Sequence, residues 1–339
     1  MSLAAAAGPV RRVLLPASIA LAPPPLGGDV HEFSGRTMGT TWSVRLVAAL
    51  DLARQPVLRA IQGALDEVVD QMSTWETQSD LCRFNRAAPG TWQALPDAFF
   101  EVLACARDVA ERSDGAFDPT AGALVDAWGF GPAAPRGVPD EAGLRRALAG
   151  AGWRRLELDP ARRTAHQPGG LALDLSAIAK GFGVDLVARR LDALGIESHL
   201  VEVGGELRGS GVKPDGQPWW VRLEHPDAGA DDPETLVALH GLSVATSGDY
   251  RRWFEHDGTR YSHTIDPRDG RPIRHGLASV TVFHAQCLLA DAWSTALDVL
   301  GPVAGPALAD HLGLAARFVV RRDAGFEERT SAAFDRLQR

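Results

Sequence analysis

The chain has 339 residues, of which 45% are hydrophobic and 23% charged, an ordinary composition for a globular protein of one large domain or two lobes. Its formal net charge is −8 and no dense basic run is present, which argues against non-specific binding of nucleic acid. Three widely spaced cysteines (Cys82, Cys105 and Cys287) without a CxxC pair argue against a disulfide framework and a zinc knuckle. No apolar run in the sequence reaches the ~20 residues that a membrane span needs.

The N-terminal segment partly resembles an export signal. Arg11 and Arg12 precede the apolar run VLLPASIALA, but Pro16 interrupts the run and Pro23 follows the A-x-A pattern at 20–22. We interpret residues 1–30 as a mostly disordered, Pro/Gly-rich leader, with a cryptic export signal as the alternative. Residues 31–339 then form the folded domain.

The predicted elements mix helices and strands. Helical spacing of apolar residues predicts helices from Pro56 to Met72 and from Asp97 to Arg112, with a loop over 72–85. Strands are predicted at 40–48 and 171–176, and a helix at 176–195. The remaining predicted elements are strands at 198–205, 218–225, 236–246, 260–266 and 277–284, a helix at 290–301 and a strand at 314–322. A helix-rich part followed by a strand-rich part indicates an α+β fold, with a possible lobe boundary near 133–140.

The most informative stretch runs from Tyr261 to Thr295. His263 and Asp266 lie three residues apart at a predicted strand end, and Asp291, Ser294 and Thr295 open a predicted helix. Hard oxygen ligands suit Mg²⁺, and a His–Asp pair can move a proton. Taken singly, each residue also has a structural interpretation, since a carboxylate at a helix start is favourable without any metal. Together they favour Mg²⁺-dependent chemistry on a phosphate ester.

Two glycine-containing motifs differ in what they indicate. DLSAIAKGF (174–182) is a predicted strand-to-helix junction whose backbone N–H groups can hold a phosphate, with Lys180 in reach of the same anion and Asp174 free to bind a flavin or ribose. Alternatively, Asp174 or Ser176 caps the helix and Lys180 faces solvent. VEVGGELRGSG (201–211) lacks G-x-G-x-x-G spacing and no helix follows it, so a Rossmann loop is excluded and a glycine bend is indicated.

Two further residues have both a ligand-binding and a structural interpretation. Trp75 follows a predicted helix and can stack on a planar ring or fill the core. Asp118, in the turn-like GAFDPT, can bind a ligand or cap a turn.

Taken in order, the motifs closely resemble those of the ApbE family, the FAD:protein FMN transferases. The resemblance covers roughly residues 35 to 301 and is carried by eight ordered segments, TMGTTWSV (37–44), MSTW…SDLCRFN (72–85), GAFDPTAGALVDAWGFGP (115–132), DLSAIAKGFGVD (174–185), VEVGGELRGSG (201–211), VATSGDYRRWF (244–254), YSHTIDPRDGRP (261–272) and ADAWSTALDVLG (290–301).

The resemblance implies a set of site residues. His263 is the implied catalytic base, beside Asp266. Some family members carry an acidic residue where Ser294 stands, so the metal site here is expected to have one charge fewer, with water in that place. The residues implied to bind FAD are Met38, Trp75, Ala116, Phe117, Asp118, Asp174, Lys180 and Ile265. Those implied to hold Mg²⁺ are Asp291, Ser294, Thr295 and the backbone carbonyl of Ala177.

The resemblance also implies a fold, a reaction and partners. The fold is an ApbE-type, T-fold-like α+β architecture with an FAD cleft between its helix-rich and strand-rich parts. FAD is the substrate: a Thr or Ser hydroxyl of an acceptor flavoprotein takes the FMN moiety with Mg²⁺ as cofactor, and AMP leaves. The alternatives are a Mg²⁺-dependent FAD pyrophosphatase and a non-catalytic FAD-binding protein. Without a clear signal peptide or lipid-bearing cysteine, a cytoplasmic location is favoured, although many relatives act in the periplasm or at the inner membrane.

Overall fold

The computed structural model describes residues 12–16, 28–132, 137–224, 226, 235–249, 253–323 and 325–337. The helices among these residues are α1 Arg54–Met72, α2 Asp80–Asn85, α3 Asp97–Arg112, α4 Gly122–Ala127, α5 Glu141–Gly150, α6 Ala179–Ala193, α7 Cys287–Leu312 and α8 Ala332–Asp335, with one 3₁₀ turn at Trp153–Arg155. The strands are β1 Arg12–Leu14, β2 Gly28–Thr37, β3 Thr40–Ala49, β4 Thr91–Ala94, β5 Leu158–Asp159, β6 Thr164–Gln167, β7 His199–Val203, β8 Glu206–Ser210, β9 Trp219–Arg222, β10 Thr235–Leu239, β11 Leu242–Gly248, β12 Trp253–His256, β13 Thr259–Ser262, β14 Ile265–Asp266, β15 Arg271–Pro272, β16 Leu277–His284, β17 Ala315–Arg322 and β18 Gly325–Thr330.

An eight-stranded sheet forms the centre of the molecule. Its strands lie in the order β18-β17-β16-β11-β8-β7-β3-β2, and every neighbouring pair is antiparallel. Successive side chains of a strand point to opposite faces, so Val201 and Val203 join one core cluster while Leu200 joins another. The sheet therefore has an apolar core on both faces.

Helices cover one face of the sheet. In α1, Val57, Ile61, Leu65, Val68 and Met72 recur every three or four residues and are all buried in the main core. The helix α6 packs on both α1 and α7, and α7 lies against β11 and β16. Because helices and sheet share this core, they do not form two separate lobes.

A small sheet covers the opposite face. The strand β10 pairs with β9 in antiparallel and with β1 in parallel, and the cluster beneath them includes Leu14, Trp219 and Phe334. A short stretch of the predicted leader is therefore ordered, because Leu14 has an apolar partner surface and the amide of Leu15 donates to the carbonyl of Leu337 at 2.8 Å. The other residues predicted as leader are described only from 28 onward, where β2 begins.

A smaller apolar cluster lies beside the main core. Leu124 and Trp128, from α4 and its end, pack there with Leu144 of α5 and with Ile265, and the Trp128 indole donates to the Gly270 carbonyl at 2.8 Å. Residues 133–136 lie outside the described residues. The elements before and after them share one cluster, and the lobe boundary near 133–140 stays a prediction.

The predicted helices at 56–72 and 97–112 are confirmed, but the strand at 171–176 is wrong. This segment makes a single isolated bridge, between Ala121 and Ala172. The side chain of Asn85 satisfies both backbone groups of Leu173, accepting from its N–H at 2.7 Å and donating to its carbonyl at 3.0 Å. A half-buried polar side chain thus supplies the hydrogen bonds that a neighbouring strand would otherwise make.

Other predicted boundaries also differ. The predicted loop at 72–85 contains α2, which Ser79 caps by accepting from the Cys82 amide. The predicted strand at 236–246 is two strands of different sheets, because Gly241 turns the chain with a φ of +62°. The sequence predicted no element at the positions of the strands β8 and β18 and the helix α8.

The helix α7 is longer than predicted at both ends. It runs through a kink at Gly301, whose φ of +76° is left-handed and whose successor, Pro302, lacks the N–H that would continue the helical pattern. Among the described residues it is the one helix long and apolar enough to cross a membrane, but most of that apolar window is buried inside this fold. It is the central core helix.

We expect Leu14→Ala to lower the free energy of unfolding by about 2–5 kcal/mol, since a fully buried leucine leaves a cavity when truncated. Val13→Ala is the matched control, because Val13 is 39% exposed on the same strand, and its cost should stay within about 0.5 kcal/mol. Urea unfolding followed by circular dichroism measures both. Equal effects of the two substitutions would contradict the packing of β1 on this core.

Candidate active site

The helices α6 and α7 approach each other most closely at Gly181. The Gly181 amide donates to Oδ2 of the buried Asp291 at 3.0 Å. A Cβ on Gly181 would overlap the carbonyl oxygen of Cys287 and would lie 2.8 Å from Cβ of Asp291. The absence of a side chain at 181 thus brings the start of α6 against the first turns of α7.

This approach changes the hydrogen bonding at the start of α6. Gly181 lies in the first turn of α6, where the backbone amides have no acceptor within the helix. Asp291 accepts from this amide, while the next amide, of Phe182, donates to the carbonyl of the N-cap residue Ile178 at 3.1 Å. Ala177 precedes the N-cap, so its carbonyl is outside the regular helical hydrogen bonding, and its role as an oxygen ligand stays a prediction.

Three hydroxyl groups gather on the same side of α7. Ser247 Oγ, from β11, lies 2.7 Å from Ser294 Oγ and 3.0 Å from Thr295 Oγ1, and Ser294 Oγ donates to the carbonyl of Asp291 at 2.9 Å. Ser247 was not predicted as a site residue, although it stands in the VATSGDY segment. The prediction that Asp291 opens its helix is wrong, because α7 begins at Cys287, one turn earlier.

The chemistry of these groups fits a small hard cation. A carboxylate, hydroxyl oxygens and a backbone carbonyl are the donors that Mg²⁺ takes. Only one carboxylate is among the predicted ligands, and the described residues contain no cluster of three or more His, Cys, Asp or Glu side chains placed to hold a metal. The site would thus leave coordination positions to water and to phosphate oxygens.

A buried ion pair completes this region. Lys180 Nζ lies 2.6 Å from Oε1 of Glu206 and 3.6 Å from Oδ1 of Asp291. Burial by itself would lower the pKa of Lys180, but the carboxylates of Asp291 and Glu206 outweigh it and raise that pKa above its ordinary value. Lys180 is therefore a charged, partnered group, so the alternative of a solvent-facing lysine is wrong.

Sequence reasoning missed Glu206. Burial raises its pKa to about 7, with the Lys180 charge acting against that rise and Asp291 adding to it. Its second oxygen, Oε2, is buried and has no hydrogen-bond partner. The sequence signal for Glu206 is a carboxylate inside the VEVGGELRGSG motif, whose glycines indicate only a bend.

Two predicted FAD contacts lie in turns. Met38 and Gly39 form the two-residue turn between β2 and β3, and both have positive φ, which is uncommon for methionine. Met38 Cε approaches the backbone of α6, 3.2 Å from where a Cβ on Gly183 would lie. Trp75 follows α1 and is 62% exposed, so the alternative of a core tryptophan is wrong and its ring is available for stacking.

Asp118 and its neighbours are largely held by the protein itself. Ala116 and Phe117 are buried. Asp118 Oδ1 accepts from the Thr120 amide and hydroxyl at 2.8 and 2.6 Å, and Oδ2 accepts from the Trp153 amide at 3.0 Å. Burial raises the pKa of Asp118 despite these bonds. The observed bonds match the structural alternative, in which Asp118 orders its own loop.

Asp174 lies at the edge of a cavity of about 150 Å³. Its Oδ1 accepts from the amide and the hydroxyl of Ser176, so it stabilises the turn before α6. The cavity is also lined by Thr74, next to the exposed Trp75, and by Arg86. Asp174 therefore lines this cavity, and Trp75 is next in the chain to another of its lining residues.

His263 stands between β13 and β14, with its ring edge-on to Phe130 at a centroid distance of 6.3 Å. Asp266 forms a bidentate salt bridge with Arg268, in which Oδ1 accepts from Nε at 2.8 Å and Oδ2 accepts from Nη2 at 2.6 Å. Both Asp266 oxygens therefore accept from Arg268, which stabilises the turn after β14. The pairing of His263 with Asp266 stays a prediction.

Another carboxylate links the histidine segment to α7. Thr264, next to His263, donates from Oγ1 to Oδ2 of Asp298 at 3.2 Å. Burial raises the pKa of Asp298 to about 8, with the Thr264 bond acting in the opposite direction. Asp298 lies seven residues after Asp291, two turns along the same helical face. Asp298 was not among the predicted site residues, since it is one of several polar residues in the ADAWSTALDVLG segment.

Comparison with known proteins identifies the family. Residues 38–318, most of the chain, match the ApbE family. The chain belongs to the ApbE family. It is 40% identical over 310 residues to the FAD:protein FMN transferase of Vibrio cholerae, covering 90% of this chain and 92% of the relative. It is 37% identical to the protein of the same name from Haemophilus influenzae, with 91% of each covered.

Solved structures agree with the ApbE assignment. The apo crystal structure of Pseudomonas stutzeri flavinyl transferase ApbE matches with a TM-score of 0.85 at 43% identity, covering 92% of this chain and 97% of that one. The ApbE protein of Thermotoga maritima matches with a TM-score of 0.80 at 29% identity. These similarities confirm the predicted family, the mixed α+β fold and the enzyme class, a transferase.

We expect Gly181→Ala to destabilise the protein by several kcal/mol, since its Cβ would meet backbone atoms of α7 that cannot move independently. Gly63→Ala in α1 is the matched control. Its Cβ meets nothing within 4 Å, so it should gain about 0.5–1 kcal/mol from helix propensity. Thermal unfolding compares the two, and a tolerated Gly181→Ala would contradict the close helix contact.

We expect the pH dependence of stability to change in Asp298→Asn. Between pH 3.8 and about 8 the folded protein keeps a proton on Asp298 that the unfolded chain has released, so this group lowers stability as pH rises through that window. Relative to wild type, Asp298→Asn should therefore become more stable by up to roughly 1.4 kcal/mol per pH unit. Urea unfolding at pH 5 to 8 measures this, with exposed Asp66→Asn as control. A pH-independent difference would show that Asp298 is ionised in the folded protein.

Proposed function

We propose that this chain transfers the FMN moiety of FAD to a Thr or Ser hydroxyl of an acceptor flavoprotein and releases AMP, with Mg²⁺ as cofactor. The observation that supports the proposal is the approach of Lys180 and the Gly181 amide to Asp291 of α7, one turn before the hydroxyls of Ser294 and Thr295. The names of the relatives, FAD:protein FMN transferase, give the flavin substrate and the protein acceptor.

The chain's own residues divide the work as follows. Asp291, Thr295 and the Ala177 carbonyl would hold Mg²⁺, with Ser294 kept in place by its bonds to Ser247 and to the Asp291 carbonyl. When bound, Mg²⁺ neutralises charge on the pyrophosphate of FAD. Lys180, whose charge is secured by its carboxylate partners, lies on the same side and can bind the same anion.

The flavin nucleotide is proposed to lie between the main core and the smaller cluster. Met38 and Phe117 line it from the main core, Ile265 from the smaller cluster, and Trp75 offers an exposed ring for stacking. Asp118 and Asp174 would act mainly by ordering the loops that border the site.

We propose His263 as the base that takes the proton from the attacking hydroxyl. The hydroxyl oxygen bonds to the FMN phosphorus, the bond from that phosphorus to the AMP oxygen breaks, and AMP leaves with its electron pair. Asp266 would act by fixing the turn after β14 through Arg268, not as a second base. A cytoplasmic location stays a prediction from the sequence.

We expect His263→Ala to lower the rate of FMN transfer by roughly 100-fold or more, as loss of a general base does. Asp291→Asn should abolish most transfer because it removes the one carboxylate among the proposed ligands. The assay mixes the chain with FAD, Mg²⁺ and candidate acceptor flavoproteins, and it measures flavin fluorescence on the acceptor in denaturing gels and AMP by chromatography.

His311→Ala is the control, since this histidine is exposed near the end of α7. Free FMN without labelled acceptor would instead support the pyrophosphatase, and tightly bound FAD without AMP would support a binding protein. Unchanged AMP release in both site variants would overturn the proposal.

A further inference from the structure

Glu206 lies in the site but has no role in the proposed reaction. It is buried on β8, opposite the crossing of α6 and α7, and its Oε1 holds the Lys180 ammonium at 2.6 Å. Lys180 is 3.6 Å from Asp291, a full ångström farther. These are the two carboxylates within 4 Å of Lys180 Nζ among the described residues.

We propose that Glu206 is a positioning residue for the cation site: it holds the Lys180 ammonium away from Asp291, so that Asp291 stays available to a divalent cation. This inference rests on the proposed function, because it takes Asp291 as the cation ligand. It concerns only how this chain's own charges prepare the site.

The distances give the physical reason. A lysine ammonium and a divalent cation are rivals for the same carboxylate, since each is attracted to Asp291 in a region of low dielectric. With Glu206 present, the short contact is made to Glu206 and the long one to Asp291. If Glu206 loses its charge, Asp291 becomes the only carboxylate near Lys180, and the ammonium closes on it.

The charge count points the same way. Lys180, Glu206 and Asp291 carry one positive and two negative charges, a net charge of −1. Neutralising Glu206 alone leaves zero, which weakens attraction for a cation. Neutralising Glu206 and Lys180 together restores −1, with the charge on Asp291 and no rival ammonium. The two changes therefore have a combined effect that a purely structural role of Glu206 does not predict.

The test measures Mg²⁺ binding to the full chain by isothermal titration calorimetry without FAD. Burial raises the pKa of Glu206 to about 7, so the titrations are run at pH 8, where its carboxylate is ionised. We expect Glu206→Gln to weaken Mg²⁺ binding about tenfold or more, from the lost charge and the moved ammonium together. Glu206→Gln combined with Lys180→Gln should bind Mg²⁺ within about threefold of wild type, because the interaction between the two sites is not additive.

Glu202→Gln is the matched control. Glu202 is on the neighbouring strand β7, where its two oxygens accept from the Gly205 amide and the Ser43 hydroxyl. In Glu202→Gln the amide oxygen can still accept from Gly205, and the amide NH₂ can donate to the Ser43 hydroxyl oxygen. Its Mg²⁺ affinity should equal that of wild type. Thermal unfolding with and without Mg²⁺ checks that each variant folds. If Glu206→Gln does not fold, Glu206→Asp, which keeps the charge, replaces it. Glu206→Asp should then bind Mg²⁺ more tightly than Glu206→Ala.

Three outcomes would overturn the inference: wild-type affinity in Glu206→Gln, a double variant no better than Glu206→Gln, or no Mg²⁺ binding by wild type. The last would also remove the metal from the proposed function. If wild type binds Mg²⁺ and the double variant is rescued but no FMN reaches an acceptor, the proposed transfer fails while the role of Glu206 stands.

Discussion

The bond from the Gly181 amide to the Asp291 carboxylate joins the two helices that carry most of the candidate site. It requires glycine at 181, because any side chain would meet the backbone of α7. It also gives an acceptor to an amide of the first turn of α6, which has none within the helix. One contact thus sets the separation of the helices and the orientation of Asp291.

The buried charges around this contact are expensive to keep. Transfer of an ammonium and two carboxylates from water costs free energy that their attraction only partly returns, and apolar residues of similar size would often be at least as stable. Glu206 keeps an unpartnered oxygen and Asp298 a raised pKa. Perturbed, incompletely satisfied groups of this kind concentrate at functional sites, which is consistent with a site that binds ligands of high charge.

The helix α7 connects the two ends of the proposed chemistry. Its buried polar residues face β11 through Ser247 and face the histidine segment through Thr264. The kink at Gly301 interrupts the regular helix just beyond Asp298. A rigid core helix holds both groups more precisely than two loops would, and phosphoryl transfer depends mainly on such positioning.

The sequence by itself determined much of this protein. Regular apolar spacing predicted α1 and α3 because one face of each helix packs on the core. The eight motifs, in their order along the chain, identified the family because each contains the residue types of the corresponding ApbE motif. These inferences need only local order along the chain.

The tertiary structure decided the partnerships. Asn85 bonds both backbone groups of Leu173 across 88 residues of chain, and Glu206, on a strand of the central sheet, reaches Lys180 on α6. Ser247 and Asp298 gained their roles in the same way. Local spacing does not encode such contacts, because burial and hydrogen-bond partners arise only when distant segments pack together.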